Sequence, residues 1–127
     1  MTDLLEDDFK DNVIDLAHML GWRVAHFRPA QTKHGWRTPM QGDKGFPDLV
    51  LAKRGRVVFA ELKSRTGKPS EDQRDWLGEL SATDPESWRV VMTGATSGHR
   101  GPMNVEVYVW RPDDIDQIGK VLGPNDS

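Results

Sequence analysis

Two apolar runs, DLVLA at 48–52 and VVFAELK at 57–63, flank the polar quartet Lys53-Arg54-Gly55-Arg56, and no other feature limits the fold of this chain as much. Runs of this length, rich in Val, Leu and Phe and bounded by turn residues, read as buried strands. The spacer has hairpin size, and Gly55 can supply the positive φ of a tight turn. With Arg54-Gly55 as a two-residue loop, Lys53 pairs with Arg56, and the same register sets Asp48 opposite Glu61. Directly opposed residues have Cβ atoms roughly 4.5–5.5 Å apart. Strand alternation puts Lys63 on the same face as Glu61. Two carboxylates and an ammonium thus converge in surroundings that are otherwise apolar. Opposed carboxylates repel, and strand centres favour apolar side chains, so the pair needs a cation. Lys63 can supply it, giving a buried ion-pair cluster or a solvent-facing strand end. A hard divalent ion is the other reading, because carboxylate oxygens, a backbone carbonyl and waters suit Mg²⁺.

The rest of the chain supplies the cover for such a hairpin. Leu5, Phe9, Val13, Leu16, Ala17 and Leu20 recur at helical spacing, which predicts a helix over Leu4–Leu20 with Thr2 or Asp3 at its start and Gly21 at its end. Trp22–Phe27 reads as a short strand. Residues 29–45 are polar, basic and rich in Gly and Pro, and read as one long loop. Ser70 and Gln73 match a capping box, so a helix is expected from Ser70 to about Ala82, with Trp76, Leu77 and Leu80 as its apolar stripe. Trp88–Met92 and Val105–Trp110 read as strands separated by a glycine-rich loop, Thr93–Pro102. Pro112 can start a last short helix. The expected order is α-β-β-β-α-β-β-α, an α/β fold whose mixed sheet of about five strands is flanked by helices. A single domain over residues 1–122 and a flexible tail over 123–127 are expected.

Composition narrows the chemistry. The chain has no cysteine, which excludes disulfides, thiolate zinc sites and cysteine nucleophiles and suits a reducing, cytoplasmic setting. No apolar run approaches the roughly 20 residues that span a bilayer, so no membrane partner is expected. The net charge of −3 hides an uneven distribution. Residues 23–68 carry eleven Lys and Arg against three acids, and the remainder carries six against seventeen. A basic segment inside an acidic protein can bind phosphate through its local field. Arg28, Lys33, Arg37 and Lys44 are the candidate phosphate contacts, with a solvated surface as the alternative for each. Trp36 can stack on an unpaired base or simply pack. His18, His34 and His99 have no paired ligand spacing, and TGATSGHRG lacks the Lys-Ser/Thr ending of a nucleotide-binding loop.

The segment GFPDLVLAKRGRVVFAELKSRTGKPSEDQRDWL resembles the PD-(D/E)XK nuclease superfamily, and is most similar to its VRR-NUC branch, which includes small phage proteins. Pro47-Asp48 matches the PD element, Glu61-Leu62-Lys63 the (D/E)XK element, and Gln73 the glutamine that begins the next helix. Glu6 three residues before Phe9, the ending LGW, the segment His26-Phe27-Arg28 and the run YVWRPDDID match as well. The departure is Pro29-Ala30, where some relatives carry a serine.

The resemblance implies a restriction-endonuclease-like core and a Mg²⁺- or Mn²⁺-dependent DNA endonuclease, selective for branched or structured DNA in the manner of a junction resolvase. It implies that Asp48, Glu61 and the Leu62 carbonyl bind the metal and that Glu6 completes the site through water or a second ion. Lys63 would orient the attacking water or stabilise charge, and Gln73 would hold Lys63 or a water. A homodimer with two sites for two strands is implied too. Bland readings stand beside these: Gln73 as a cap, Glu6 as a partner of the helix dipole, His26 as a core histidine. At the level of function the alternatives are a nucleic-acid-binding module that has lost catalysis, and an unrelated interaction protein whose acids and lysine form a salt-bridge cluster.

Overall fold

The computed structural model describes residues 2–27, 30–32, 35–37, 42–88, 97–100 and 105–124. Helix α1, Thr2–Met19, leads into strand β1, Arg23–His26. Strands β2, Ala30–Thr32, and β3, Gly35–Arg37, follow, then β4, Leu49–Lys53, and β5, Arg56–Leu62. Helix α2, Glu71–Ser81, and a 3₁₀ turn, Pro85–Trp88, precede strands β6, Ser97–Arg100, and β7, Val105–Trp110. A second 3₁₀ turn, Pro112–Asp114, runs into helix α3, Ile115–Leu122. No helix among the described residues is long and apolar enough to cross a membrane.

The molecule is a mixed α/β fold. Four strands in the order β1-β4-β5-β7 form the body of a mixed sheet, and short β6 pairs with the outer side of β7. Neighbours are antiparallel except β5 and β7, which run parallel. A parallel pair needs a crossover, and α2 lies in that connection. The hairpin register is as the sequence requires: Lys53 pairs with Arg56 and Leu49 with Ala60. Arg54 and Gly55 both take positive φ, 46° and 87°, as a two-residue turn of this twist demands.

Alternation along the strands divides the interior into two layers. Leu49, Leu51, Val58, Ala60 and Trp110 pack with Phe9, Val13 and Ala17 of α1 and Ile118 and Leu122 of α3. On the other face Val107 and Val109 pack with Leu77 of α2 and with Trp88. The α1 layer closes around one polar network. Glu106, buried on β7, takes Arg56 Nε at 2.8 Å and Nη2 at 3.0 Å and the Tyr108 hydroxyl at 2.8 Å, while the Arg56 guanidinium lies 4.9 Å over the Trp22 ring. Gly21 closes the end of helix α1: its N–H donates to the His18 carbonyl at 3.0 Å, and its φ of +89° returns the Trp22 N–H to the Ala17 carbonyl at 2.9 Å. Lys53 Nζ caps the Leu20 carbonyl at 2.7 Å.

Two sequence expectations change. The long loop over 29–45 contains the β2–β3 hairpin, in which Ala30 pairs with Arg37 and Thr32 with Gly35. The strand expected at Trp88–Met92 is not one at Trp88, which ends the 3₁₀ turn that Asp84 and Pro85 start. Its indole N–H donates to Thr83 Oγ1 at 3.1 Å. Residues 89–92 lie outside the described residues. The strand beside β7 is instead Ser97–Arg100, inside the segment whose glycines read as loop, because antiparallel pairing with β7 uses the backbone alone.

Candidate active site

The site forms where β4 begins and β5 ends. Gly45, Phe46 and Pro47 deliver Asp48 to it. Gly45 has φ +96°, and a Cβ there would lie 2.6 Å from the Asp72 carbonyl carbon, so only glycine lets this segment cross the first turn of α2. Phe46 then stacks edge-to-face on Phe27, Phe59 and Trp76, with centroids 5.3, 6.0 and 4.9 Å away. Pro47 is buried. The Phe46 contacts join the end of β1, β5 and α2 two residues before Asp48.

Asp48 sits one residue outside the β4 ladder, opposite Glu61 in the continued register. Its Oδ2 accepts the Leu62 N–H at 2.9 Å, and its carbonyl accepts the Phe27 N–H at 3.1 Å. The carboxylate is therefore held by the β5 side, and the main chain of Asp48 by the residue that follows β1. Glu61 is 1% exposed. Burial pushes its pKa from 4.5 up to about 10, helped by a hydrogen bond and repulsion from Asp48 and opposed by the charge of Lys63. Glu61 Oε2 meets no donor among the described residues. With both carboxyls ionised there is no proton between them, and a proton on Glu61 turns the contact with Asp48 into an O–H···O bond. Within an extended strand the N–H and C=O of one residue point the same way. The Leu62 carbonyl thus points towards Asp48 as its N–H does, and Pro47, next in register, has no N–H to offer it.

Lys63 is half-buried, with its N–H donating to the Trp110 carbonyl at 2.9 Å. Its charge acts on Glu61, so the structure brings Asp48, Glu61 and Lys63 together. Gln73 is engaged elsewhere. Its Oε1 accepts the Ser70 N–H at 2.8 Å and its N–H donates to Ser70 Oγ at 3.3 Å, a complete capping box at the start of α2. Glu6 lies in α1, which packs on the sheet face opposite to that of Asp48 and Glu61; its side chain is outside the described part. Among the described residues no group of three or more His, Asp or Glu side chains is placed to hold a metal ion.

The proposed phosphate contacts are spread differently. Arg28 and Lys33 lie outside the described residues, and Arg37 is on β3 with its side chain outside them. Lys44 is exposed and lines a groove of about 570 Å³ with Asp43, Asp72, Asp75, Glu79 and Trp76, a carboxylate-rich setting for a phosphate contact. One residue that the sequence reading left without a role stands close to Lys63. Arg111, one residue past β7, is 4% exposed. Its sequence signals are its place directly after an apolar strand and inside the run YVWRPDDID. Compared with known proteins, the chain matches no family model, no curated protein and no solved structure.

Proposed function

We propose that this chain is a Mg²⁺- or Mn²⁺-dependent phosphodiesterase that cuts DNA, with the restriction-endonuclease-like core and VRR-NUC likeness suggested by its motifs. The observation that carries the reading is the opposed carboxyl pair, half-buried Asp48 and buried Glu61, with a Glu61 oxygen that meets no donor among the described residues. Such a pair is costly in apolar surroundings unless a proton or a cation occupies it. The Asp48 and Glu61 oxygens and the Leu62 carbonyl form a hard-oxygen donor set that fits Mg²⁺ or Mn²⁺. Glu6 is the candidate for a further carboxylate.

A bound divalent ion would supply Lewis acidity and lower the pKa of a water. The chain's own groups do the rest. Asp48, held by the Leu62 N–H, keeps one fixed oxygen for the ion. Glu61 gives up its proton when a cation enters. Lys63 neutralises charge that builds on the phosphate oxygens as water adds and the P–O bond breaks. A structured or branched DNA and a homodimer are the substrate and assembly that the likeness to junction resolvases favours.

A panel of labelled duplex, single-stranded, flap, splayed-arm and four-way DNAs, incubated with Mg²⁺, Mn²⁺ or EDTA, tests the proposal. Cleavage should require metal and fall by about 10²-fold or more in Lys63→Ala. Retained cleavage in that variant removes Lys63 from the mechanism. DNA binding without cleavage under every condition, and without metal uptake, would favour the inactive binding module.

A further inference from the structure

Arg111 has extended backbone, φ −124° and ψ 162°. The parallel register that pairs Glu61 with Val109 continues through the Lys63 N–H bond to the Trp110 carbonyl, so Arg111 is the cross-strand neighbour of Lys63 on the face that carries Glu61. Its guanidinium is almost fully buried, and Nη2 donates to the Gly67 carbonyl at 2.9 Å. Nε and Nη1 are buried and meet no acceptor among the described residues.

Asp114 does not fill that need, because its Oδ2 accepts the main-chain N–H of Arg111 at 2.9 Å. Burial pulls the Arg111 pKa down and Asp114 offsets only part of this. A guanidinium nonetheless keeps its charge in proteins. The result is a buried cation beside a second cation, with one unfilled donor on each of the two forked edges that share Nη2. A planar fork of this kind matches a phosphate or a carboxylate, and an anion would relieve both charges.

We propose that the unpartnered donors of Arg111 and the neighbouring Lys63 ammonium form a site for a backbone phosphate of a nucleic-acid strand, closed in this state by the Ser64–Gly67 turn, whose Gly67 carbonyl holds the Nη2 shared by both forked edges. The proposal rests on the nucleic-acid reading above, which selects phosphate over carboxylate. The cover is thin. Gly67 lies on the Lys63 stem, where an added Cβ would sit 3.5 Å from Lys63 Cβ and 2.8 Å from Ser64 Oγ. The turn is tied down by the Gly67–Arg111 bond and by Arg65 Nη2–Asp113 Oδ1 at 3.0 Å, an exposed pair of little strength. A phosphate that replaces the Gly67 carbonyl on the guanidinium therefore breaks one hydrogen bond and one weak latch.

The test uses the wild-type protein in EDTA. Its arginine Nε–H signals are assigned through bonds from the backbone and followed by NMR during titration with inorganic phosphate. The Arg111 signal should move and saturate, and the phosphate affinity should fall roughly tenfold or more in Lys63→Gln. A fixed Arg111 signal, or an affinity unchanged in Lys63→Gln, overturns the site. With oligonucleotides, Arg111→Gln should make the slope of log affinity against log salt shallower by about one. An unchanged slope in the folded variant also overturns it. Cleavage of DNA with an unmoved Arg111 signal would refute this site and leave the nuclease intact. A phosphate-responsive Arg111 without cleavage would do the reverse.

Discussion

Glu61 should make the metal-free protein lose stability as pH rises, and Glu61→Gln should cancel that loss. The folded pKa is raised from 4.5 to about 10, so between these values the native state holds a proton that the unfolded chain has released. Stability then falls with pH by up to about 1.4 kcal/mol per unit. Between pH 6 and pH 8 the wild type should lose about 2.7 kcal/mol relative to Glu61→Gln. For a chain of this size that is roughly 8–11 °C in Tm. Gln keeps the shape and can donate its amide N–H to Asp48, so the difference between the two curves isolates the titration. Calorimetric melts of both proteins in EDTA across this range measure it. Parallel curves would refute a buried protonated carboxyl at Glu61. Mg²⁺ should then restore wild-type stability, more strongly at pH 8 than at pH 6, because the cation replaces the proton.

Other outcomes follow from particular contacts. Gly45→Ala should destabilise by about 3 kcal/mol or more in urea titration, whereas Gly21→Ala, with a similar φ but only Lys53 side-chain atoms at 3.5 Å, should cost about 1 kcal/mol; equal losses would remove the Asp72 contact as the cause. Glu106→Ala strands the Arg56 guanidinium above Trp22 and should cost about 3–5 kcal/mol, with a near-neutral result refuting the network. Ser70→Ala should cost about 1 kcal/mol as a lost cap. Gln73→Ala should match it in stability and in DNA cleavage if capping is its whole role; a far larger fall in cleavage would give Gln73 a place in the site.

The hairpin could be read from the sequence because two signals agreed there. The apolar runs marked the strands, and a two-residue turn with Gly55 left one register, so Asp48 had to face Glu61. The capping box at Ser70 and Gln73 was equally legible, since both partners lie within one helical turn. Edge elements were not. The strands Ala30–Thr32, Gly35–Arg37 and Ser97–Arg100 are held by backbone pairing and carry no apolar alternation. The run Trp88–Met92 looked like a strand because it is apolar and β-branched, yet Pro85 and the indole bond to Thr83 curl its first residue into a 3₁₀ turn. Arg111 drew no reading of its own, although it lies in the run YVWRPDDID. Its burial and its bond to the Gly67 carbonyl are tertiary facts.

The two-layer division of the sheet also makes the site a matter of parity. Along β5 each residue that builds the α1 core, Val58, Ala60 and Leu62, alternates with one that faces α2, and Glu61 belongs to the second set. The Arg54-Gly55 turn sets the phase of that alternation. One residue added there would exchange the sets, sending Glu61 and Lys63 into the α1 core and Ala60 towards Asp48. Two residues added would restore the phase and lengthen only the solvent end. Length at this turn can therefore drift in steps of two. A single-residue change would remove the core and the chemistry in the same event.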